Sequence, residues 1–426
     1  WTSARARASL PDDAVIAELA RRLAGEPRGL IVAGEGAVPA DRGLAPPGWP
    51  DDPARGGTAI ADLAARLGWP LLAEPTSRAR QGACLVDCAD GALRSEAFVA
   101  AWRPEVILRL GRAVLGRPLG ALLANSGAEQ VVVTTGGRWH DPPRTAAWLI
   151  DGEPDRVAAA VAARLDPPVP TGEADVAAPD EADVATNEDA DVGSQEAAAW
   201  RAAWHDAGGA ARAAIDARLD AGDALGEARL ARDLVAALPP GAVLVAGSSR
   251  PVRDLDEYAP GRDDVTVMGN RGASGIDGLA STAMGAALGT RRPVVALAGD
   301  LSVLHDAAGL AVCGPPQPDL TLVVVDNDGG GIFAQLPPGE LPAKRQQRFT
   351  TPHGVDLAAM AGAFGIPGVD VAGAGELGPA LAAARAAGGL QLVRVATDRH
   401  TTAADHANLR AAAVEAVEAR LAAGPR

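Results

Sequence analysis

The stretch Leu320-Thr-Leu-Val-Val-Val325, followed by Asp326-Asn-Asp-Gly-Gly-Gly331-Ile-Phe333, decides the fold. Apolar and β-branched residues in an unbroken row, closed by a turn-forming Asp-Asn-Asp-Gly run, read as a strand buried on both faces. Such strands belong to parallel sheets covered by helices on each side. Moving outward, Val294–Ala298 is a second run of the same kind, and Gly299-Asp-Leu-Ser302 follows it. Further runs lie at Ala242–Ala246, Val265–Met268 and Gln391–Ala396, with a helical pattern from Gly226 to Leu238. Strands alternating with helices predict a doubly wound α/β domain over residues 198–426. In an open parallel sheet ligands bind beyond the carboxyl ends of the strands, so Asp300 and the glycine run stand where chemistry is expected.

Residues 1–165 repeat the pattern. Short runs at Gly29–Ala33, Trp69–Leu72, Val106–Leu110, Val131–Val133 and Ala147–Ile150 predict a second doubly wound parallel-sheet domain, Rossmann-like, so the fold class is α/β throughout. Gly34-Glu-Gly36 follows the first run, but the third glycine of a dinucleotide fingerprint is missing and no acidic partner stands out, so no nucleotide site is expected there. Between the two domains, residues 166–197 carry the near-repeats Glu173-Ala-Asp-Val-Ala177, Glu181-Ala-Asp-Val-Ala185 and Asp189-Ala-Asp-Val-Gly193. Sparse apolar residues and mutually repelling acids predict a disordered acidic linker.

The chain has 426 residues, 48% of them apolar, enough for a large buried core. Its net charge of -15 repels phosphate backbones and anionic lipid, which argues against nucleic acid and membrane-surface partners. No apolar run is long enough for a membrane span or a signal peptide, so a cytoplasmic location is expected. Three cysteines, Cys84, Cys88 and Cys313, are too few for a disulfide framework and read as reduced thiols. Small metabolites remain as ligands.

Asp300 and Asn327 stand one helix and one strand apart, which brings a carboxylate and a carboxamide oxygen to neighbouring strand ends. Hard oxygen ligands of this kind suit magnesium, which takes few protein ligands and leaves its other positions to phosphate and water. The glycines let backbone approach the ligand. Alone, the aspartate reads as a helix cap and the glycines as a turn. Together they resemble the diphosphate-anchoring signature of thiamine-diphosphate enzymes. That resemblance implies thiamine diphosphate as cofactor, with magnesium or manganese held by Asp300, Asn327 and the backbone oxygen of Gly329. The family's first motif position, usually Asn, is Asp326, which makes the local charge unusual.

Longer strings sharpen the resemblance: Gly247-Ser-Ser-Arg-Pro-Val-Arg-Asp-Leu255, Asn270-Arg-Gly-Ala-Ser-Gly-Ile-Asp-Gly278, Gly299-Asp-Leu-Ser-Val-Leu-His-Asp306, Gly329-Gly-Gly-Ile-Phe333 and Thr351-Pro-His-Gly354. They look like the SEPHCHC synthase family, whose members decarboxylate 2-oxoglutarate and add the succinyl unit to isochorismate in menaquinone biosynthesis. By that resemblance Gly247, Gly299, Leu301, Ser302 and Ile332 meet the cofactor with the metal loop. Ala273, Ser274, Gly275 and Ile276 do so as well, Ile276 as the apolar wedge that bends it. Arg253 and Arg271, with Ser249, Asn270 and Arg117 of the first domain, hold substrate carboxylates. Ile332, Phe333 and Leu336 shield the reacting carbon. His305 and His353 are expected to be structural. The rivals are another 2-oxoacid decarboxylase or acetohydroxyacid synthase, and a non-catalytic cofactor-binding module.

The family's activating glutamate sits on a separate N-terminal pyrimidine-binding domain, so no catalytic residue is expected within this chain. Its first strand-helix units already match the family's middle domain. The expectation is therefore that the pyrimidine-binding domain is absent here, that the chain alone is inactive, and that the complete protein is a homodimer or homotetramer.

Overall fold

The computed structural model describes residues 9–39, 56–113, 115–166, 188–312 and 318–424. Among them are two sheets in which every strand pair is parallel. The first is built from β1 (Gly29–Ala33), β2 (Leu71–Ala73), β3 (Val106–Leu110), β4 (Glu129–Thr134) and β5 (Ala146–Asp151), in the order β2-β1-β3-β4-β5. The second is built from β6 (Val243–Ala246), β7 (Thr266–Gly269), β8 (Val294–Gly299), β9 (Leu320–Asp326), β10 (Gly368–Val371) and β11 (Leu390–Ala396), in the order β10-β11-β9-β8-β6-β7. The valine- and leucine-rich β9 is buried along its whole length, as a central strand covered on both faces must be. Sheet growth reverses between β1 and β3 and again between β6 and β8, which leaves a crevice at the carboxyl end of each sheet.

Register fixes what meets in the second crevice. Gly299 pairs with Val325, so Asp300 and Asp326 leave the sheet side by side. On the other side of β9, Ala396 pairs with Asp326, which brings the end of β11 to the same edge.

Two long helices, Glu188–Leu219 and Arg399–Ala422, revise the expected domain limits. Helix begins at Glu188, inside the segment 166–197 read as disordered linker; residues 167–187 of that segment lie outside the described residues. Trp200 and Trp204, one turn apart on one helix face, are completely buried among Leu30, Val32, Ile107 and Phe98 of the first half. Trp204 meets Phe98 edge-on with ring centroids 5.1 Å apart, and Trp200 Nε1 donates to the Gly29 carbonyl at 2.8 Å. The terminal helix adds Leu409, Ala413 and Val417 to this cluster. Parts of 198–426 therefore cover the first sheet, where two indoles bury a large apolar surface.

Among the described residues no helix is long and apolar enough to cross a membrane. Cys84 and Cys88 are free and buried; Cys313 lies outside the described residues.

Candidate active site

Asp300 opens the helix Asp300–His305 and is 2% exposed. Its Oδ1 accepts the Leu301 N–H at 2.6 Å, and its Oδ2 accepts the N–H groups of Asn327 at 3.1 Å and Gly329 at 2.8 Å. The loop after β9 is thus wrapped around one carboxylate. His353 Nδ1 accepts the Val355 N–H at 3.0 Å, so its ring proton sits on Nε2 and faces Asp300 Oδ2 at 3.3 Å. Burial pushes the Asp300 carboxyl up from its ordinary range, against the pull of these donors.

The loop geometry requires its glycines. Gly329 has φ +134°, and a Cβ there would lie 2.1 Å from the Thr350 carbonyl oxygen. Asn327 Nδ2 donates to Glu227 at 2.8 Å, which leaves Asn327 Oδ1 buried without a hydrogen-bond partner. A buried amide oxygen left unmatched, on a residue whose backbone N–H bonds a buried carboxylate, is what a hard cation satisfies. Asp300, Asp326 and His353 also cluster within 4.8 Å of one another, but both His353 nitrogens and the Asp326 carboxylate already have protein partners, so the unmatched ligand atom is the Asn327 oxygen. The residues present therefore fit a magnesium or manganese ion.

The unusual Asp326 has a counter-charge. Arg394 on β11 donates Nε to its carboxylate at 2.6 Å, as the β9–β11 register allows. Asp328 points the other way, accepting from Gly354 N at 2.8 Å, Arg399 Nη1 at 2.9 Å and His353 N at 2.9 Å. The Gly354 bond foremost, with Arg399 and His353, holds its carboxyl at about 2.

At the ends of β6 and β7 two guanidinium groups converge. Arg253 Nη1 donates to the carbonyls of Ser248 at 3.0 Å and Ser249 at 2.9 Å, and Arg271 Nη1 donates to Ser248 at 3.2 Å. Among the described residues neither forms an ion pair, whereas their neighbour Arg250 pairs with Asp254 and Glu257. Burial, then the charges of Arg271 and Arg250, lower the Arg253 pKa, so the site gains by taking up an anion. The first half reaches this place: Arg112, paired with Glu35, donates to the carbonyls of Arg271 and Gly272.

The other sequence-predicted residues divide. Gly247 lies against β8, where a Cβ would stand 3.3 Å from the Leu297 oxygen, and Ser302 is buried in the turn after Asp300. Gly299 and Leu301 flank Asp300 and are half-buried. Ser249 is half-buried at the start of helix Arg250–Tyr258. Asn270 spends its amide on Thr282 Oγ1 at 3.1 Å and the Gly278 carbonyl at 3.5 Å, fastening its loop. Ala273 and Ser274 are exposed, Gly275 is half-buried, and Ile276 is 37% exposed. Ile332 and Phe333 occupy the short helix Gly331–Gln335, half-buried, with Leu336 next and Phe333 packed on Phe349 at 5.8 Å. Arg117 opens the helix Arg117–Asn125 and is exposed; no hydrogen bond or ion pair joins it to the other predicted residues.

Sequence reading missed Glu227 and Arg399, and set His353 aside. Arg399 Nη1 donates to the carbonyls of Asn327 at 3.0 Å and Asp328 at 2.7 Å, fastening the loop after β9 to the start of the terminal helix. Glu227 and Arg399 stand in no motif and look like ordinary helix-terminal charges. His353 lies in the quoted string Thr351–Gly354, the one signal that pointed to it.

A family profile described as "Thiamine pyrophosphate enzyme, C-terminal TPP binding domain" matches residues 258–395. Fold and cation-ready loop thus define the diphosphate-binding part of a thiamine-diphosphate enzyme. In overall structure the chain is similar to the Rhodococcus jostii RHA1 thiamine diphosphate-dependent 4-hydroxybenzoylformate decarboxylase, with TM-score 0.60 and 19% identity, over 93% of this chain and 66% of that one. In sequence it is 34% identical to the 2-succinyl-5-enolpyruvyl-6-hydroxy-3-cyclohexene-1-carboxylate synthase of Myxococcus xanthus, over 94% of this chain and 62% of that protein. It is 41% identical to the synthase of the same name from Thermobifida fusca, over 84% of this chain and 57% of that protein. The chain is thus similar to curated SEPHCHC synthases, and it spans about three fifths of the length of those it matches.

Proposed function

We propose that the chain carries the diphosphate-binding and substrate-carboxylate-binding parts of a SEPHCHC synthase, acting on 2-oxoglutarate and isochorismate. The observation that carries this reading is the convergence of Arg253 and Arg271 on one carbonyl without a carboxylate partner, beyond strands of the same parallel sheet that carries the cation-ready loop. Both substrates are polycarboxylates, and planar guanidinium groups hold carboxylates in a two-point grip.

In this reading Asp300, Asn327 and the Gly329 oxygen ligate magnesium or manganese. Gly247, Gly299, Leu301 and Ser302 lie along the diphosphate, and residues 273–276 along the ring system. Thiamine diphosphate, when bound, supplies the electron sink that lets a 2-oxoacid lose carbon dioxide and its acyl carbon attack an acceptor. Arg253 and Arg271 orient the carboxylates, with Ser249, Asn270 and Arg117 at the margin. Ile332, Phe333 and Leu336 keep water from the reacting carbon. The proton-transfer glutamate comes from a pyrimidine-binding domain, in a homodimer or homotetramer of the complete protein.

The test is to mix the chain with thiamine diphosphate, magnesium, 2-oxoglutarate and isochorismate, with and without the part of the Thermobifida fusca relative that this chain does not match. The succinylated cyclohexene product is expected only in the supplemented mixture. Carbon dioxide release with no adduct would point to a different 2-oxoacid decarboxylase. Full activity from the unsupplemented chain would place the proton-transfer acid within it.

A further inference from the structure

Asn327 can serve as a metal ligand only through its oxygen, and an amide side chain is nearly symmetric in shape. Something must decide which end faces the cation. Glu227 does so from a distant part of the sequence. It opens the helix Glu227–Ala237, is 5% exposed, and its Oε1 accepts Asn327 Nδ2 at 2.8 Å. A carboxylate only accepts, so the amide nitrogen must point toward Glu227 and the oxygen away from it. That oxygen is the buried one with no hydrogen-bond partner.

Glu227 is itself held. Its Oε1 also receives Thr397 Oγ1 at 3.3 Å and Thr402 Oγ1 at 3.4 Å. Next to it, Asp254 Oδ1 faces His406 Nε2 at 2.8 Å and is paired with Arg250, while His406 Nδ1 donates to the Thr402 carbonyl at 2.7 Å. Glu227, Asp254 and His406 have ligand-type atoms within 4.8 Å of one another, yet each already has protein partners, so the cluster reads as a support and not as a second cation site.

We propose that Glu227 is a positioning residue for the metal: by taking the Asn327 amide nitrogen it presents the Asn327 oxygen to the cation. The proposal rests on the metal reading of the loop. A merely structural Glu227 would matter for stability and leave the choice of amide end without consequence. A positioning Glu227 couples to the chemistry of residue 327 in a specific way. Asn327→Asp offers oxygen at both ends, so it no longer needs orienting, but it sets two carboxylates against each other while Glu227 remains.

The experiment measures the magnesium concentration that half-saturates thiamine-diphosphate binding, followed by tryptophan fluorescence, with thermal melting alongside. Glu227→Gln, which keeps the shape but lets either amide end face Asn327, is expected to raise that concentration about 10- to 100-fold, as lost partners of metal ligands do. Asn327→Asp alone is expected to raise it as well. The double variant Glu227→Gln with Asn327→Asp is expected to recover most of the loss, a sign change that independent effects cannot produce. Unchanged magnesium dependence in Glu227→Gln, or strictly additive losses in the double variant, would overturn the proposal if Asp300→Ala still abolishes the dependence. If Asp300→Ala leaves it unchanged, or the parent chain shows no magnesium-dependent binding, the metal reading fails and the proposal falls with it.

Discussion

The two sheets end in crevices of the same topological kind, and among the described residues they differ in how their polar groups are matched. In the first, the loops after β1 and β3 close on each other. A Cβ on Gly34 would lie 2.1 Å from the Arg112 carbonyl oxygen, and Glu35 takes up the Arg112 charge. Among the described residues there, the Arg112 and Glu35 charges are spent on each other. In the second, Asn327 Oδ1 is left unmatched and Arg253 and Arg271 lack carboxylate partners. Topology provides a place for a ligand; unfulfilled polar groups make it a site.

If the first half is scaffold and the second half chemistry, substitutions in each should separate cleanly. The largest effect is expected from Trp200→Ala, which empties a fully buried position and should cost about 3–5 kcal/mol of stability. Denaturant unfolding should record that loss, while cofactor affinity at low temperature stays the same; an affinity loss of equal size would break the division.

Glu257 lies on the seam, joining the helix Arg250–Tyr258 to Arg410 of the terminal helix at 2.7 and 2.8 Å. Burial works against its charge, but the Arg410 bonds and the charge of Arg250 prevail and hold the carboxyl at about 2. Its folded pKa lies below its unfolded value of about 4.3, so its stabilisation is complete above that value and fades as pH falls toward the folded one. Stability of the parent should therefore drop across this acid window, by on the order of 3 kcal/mol. Glu257→Gln should be less stable at neutral pH and flatter across the window, as read by unfolding at a series of pH values.

In the second crevice the ordering reverses. Asp300→Ala should weaken magnesium-dependent thiamine-diphosphate binding on the order of a hundredfold by isothermal titration, a change of about 2.7 kcal/mol. Unchanged affinity would remove the cation from the reading of the loop. Arg253→Ala and Arg271→Ala should each cost roughly 1.5–3 kcal/mol in kcat/KM with cofactor affinity retained, measured in the supplemented synthase assay. Arg271→Lys should recover little, since lysine keeps the charge without the planar fork; full recovery would argue against a two-point carboxylate grip.

Strands with strong apolar runs were legible directly, and β1, β3, β8 and β9 lie within a residue of where the runs predicted them. β10 was missed because three of its four residues are exposed on the sheet edge and form no apolar run. The metal loop was legible because its glycines and oxygen ligands stand close together in the chain. Glu227, Arg399 and Arg112 were not, because each acts on residues 71 to 160 positions away. Their value depends on where a helix end or a strand-end loop comes to rest.

By itself the sequence determined the parallel α/β class, the strand ends that carry the candidate chemistry, and the family whose strings they match. Local pattern suffices for these, since burial on both faces and tight turns are written in neighbouring residues. Tertiary structure alone decided that the helices Glu188–Leu219 and Arg399–Ala422 cover the first sheet, that Arg394 balances Asp326, and that the Asn327 oxygen stands free. Those are outcomes of packing and of charge balance between distant segments, and no stretch of neighbouring residues contains them.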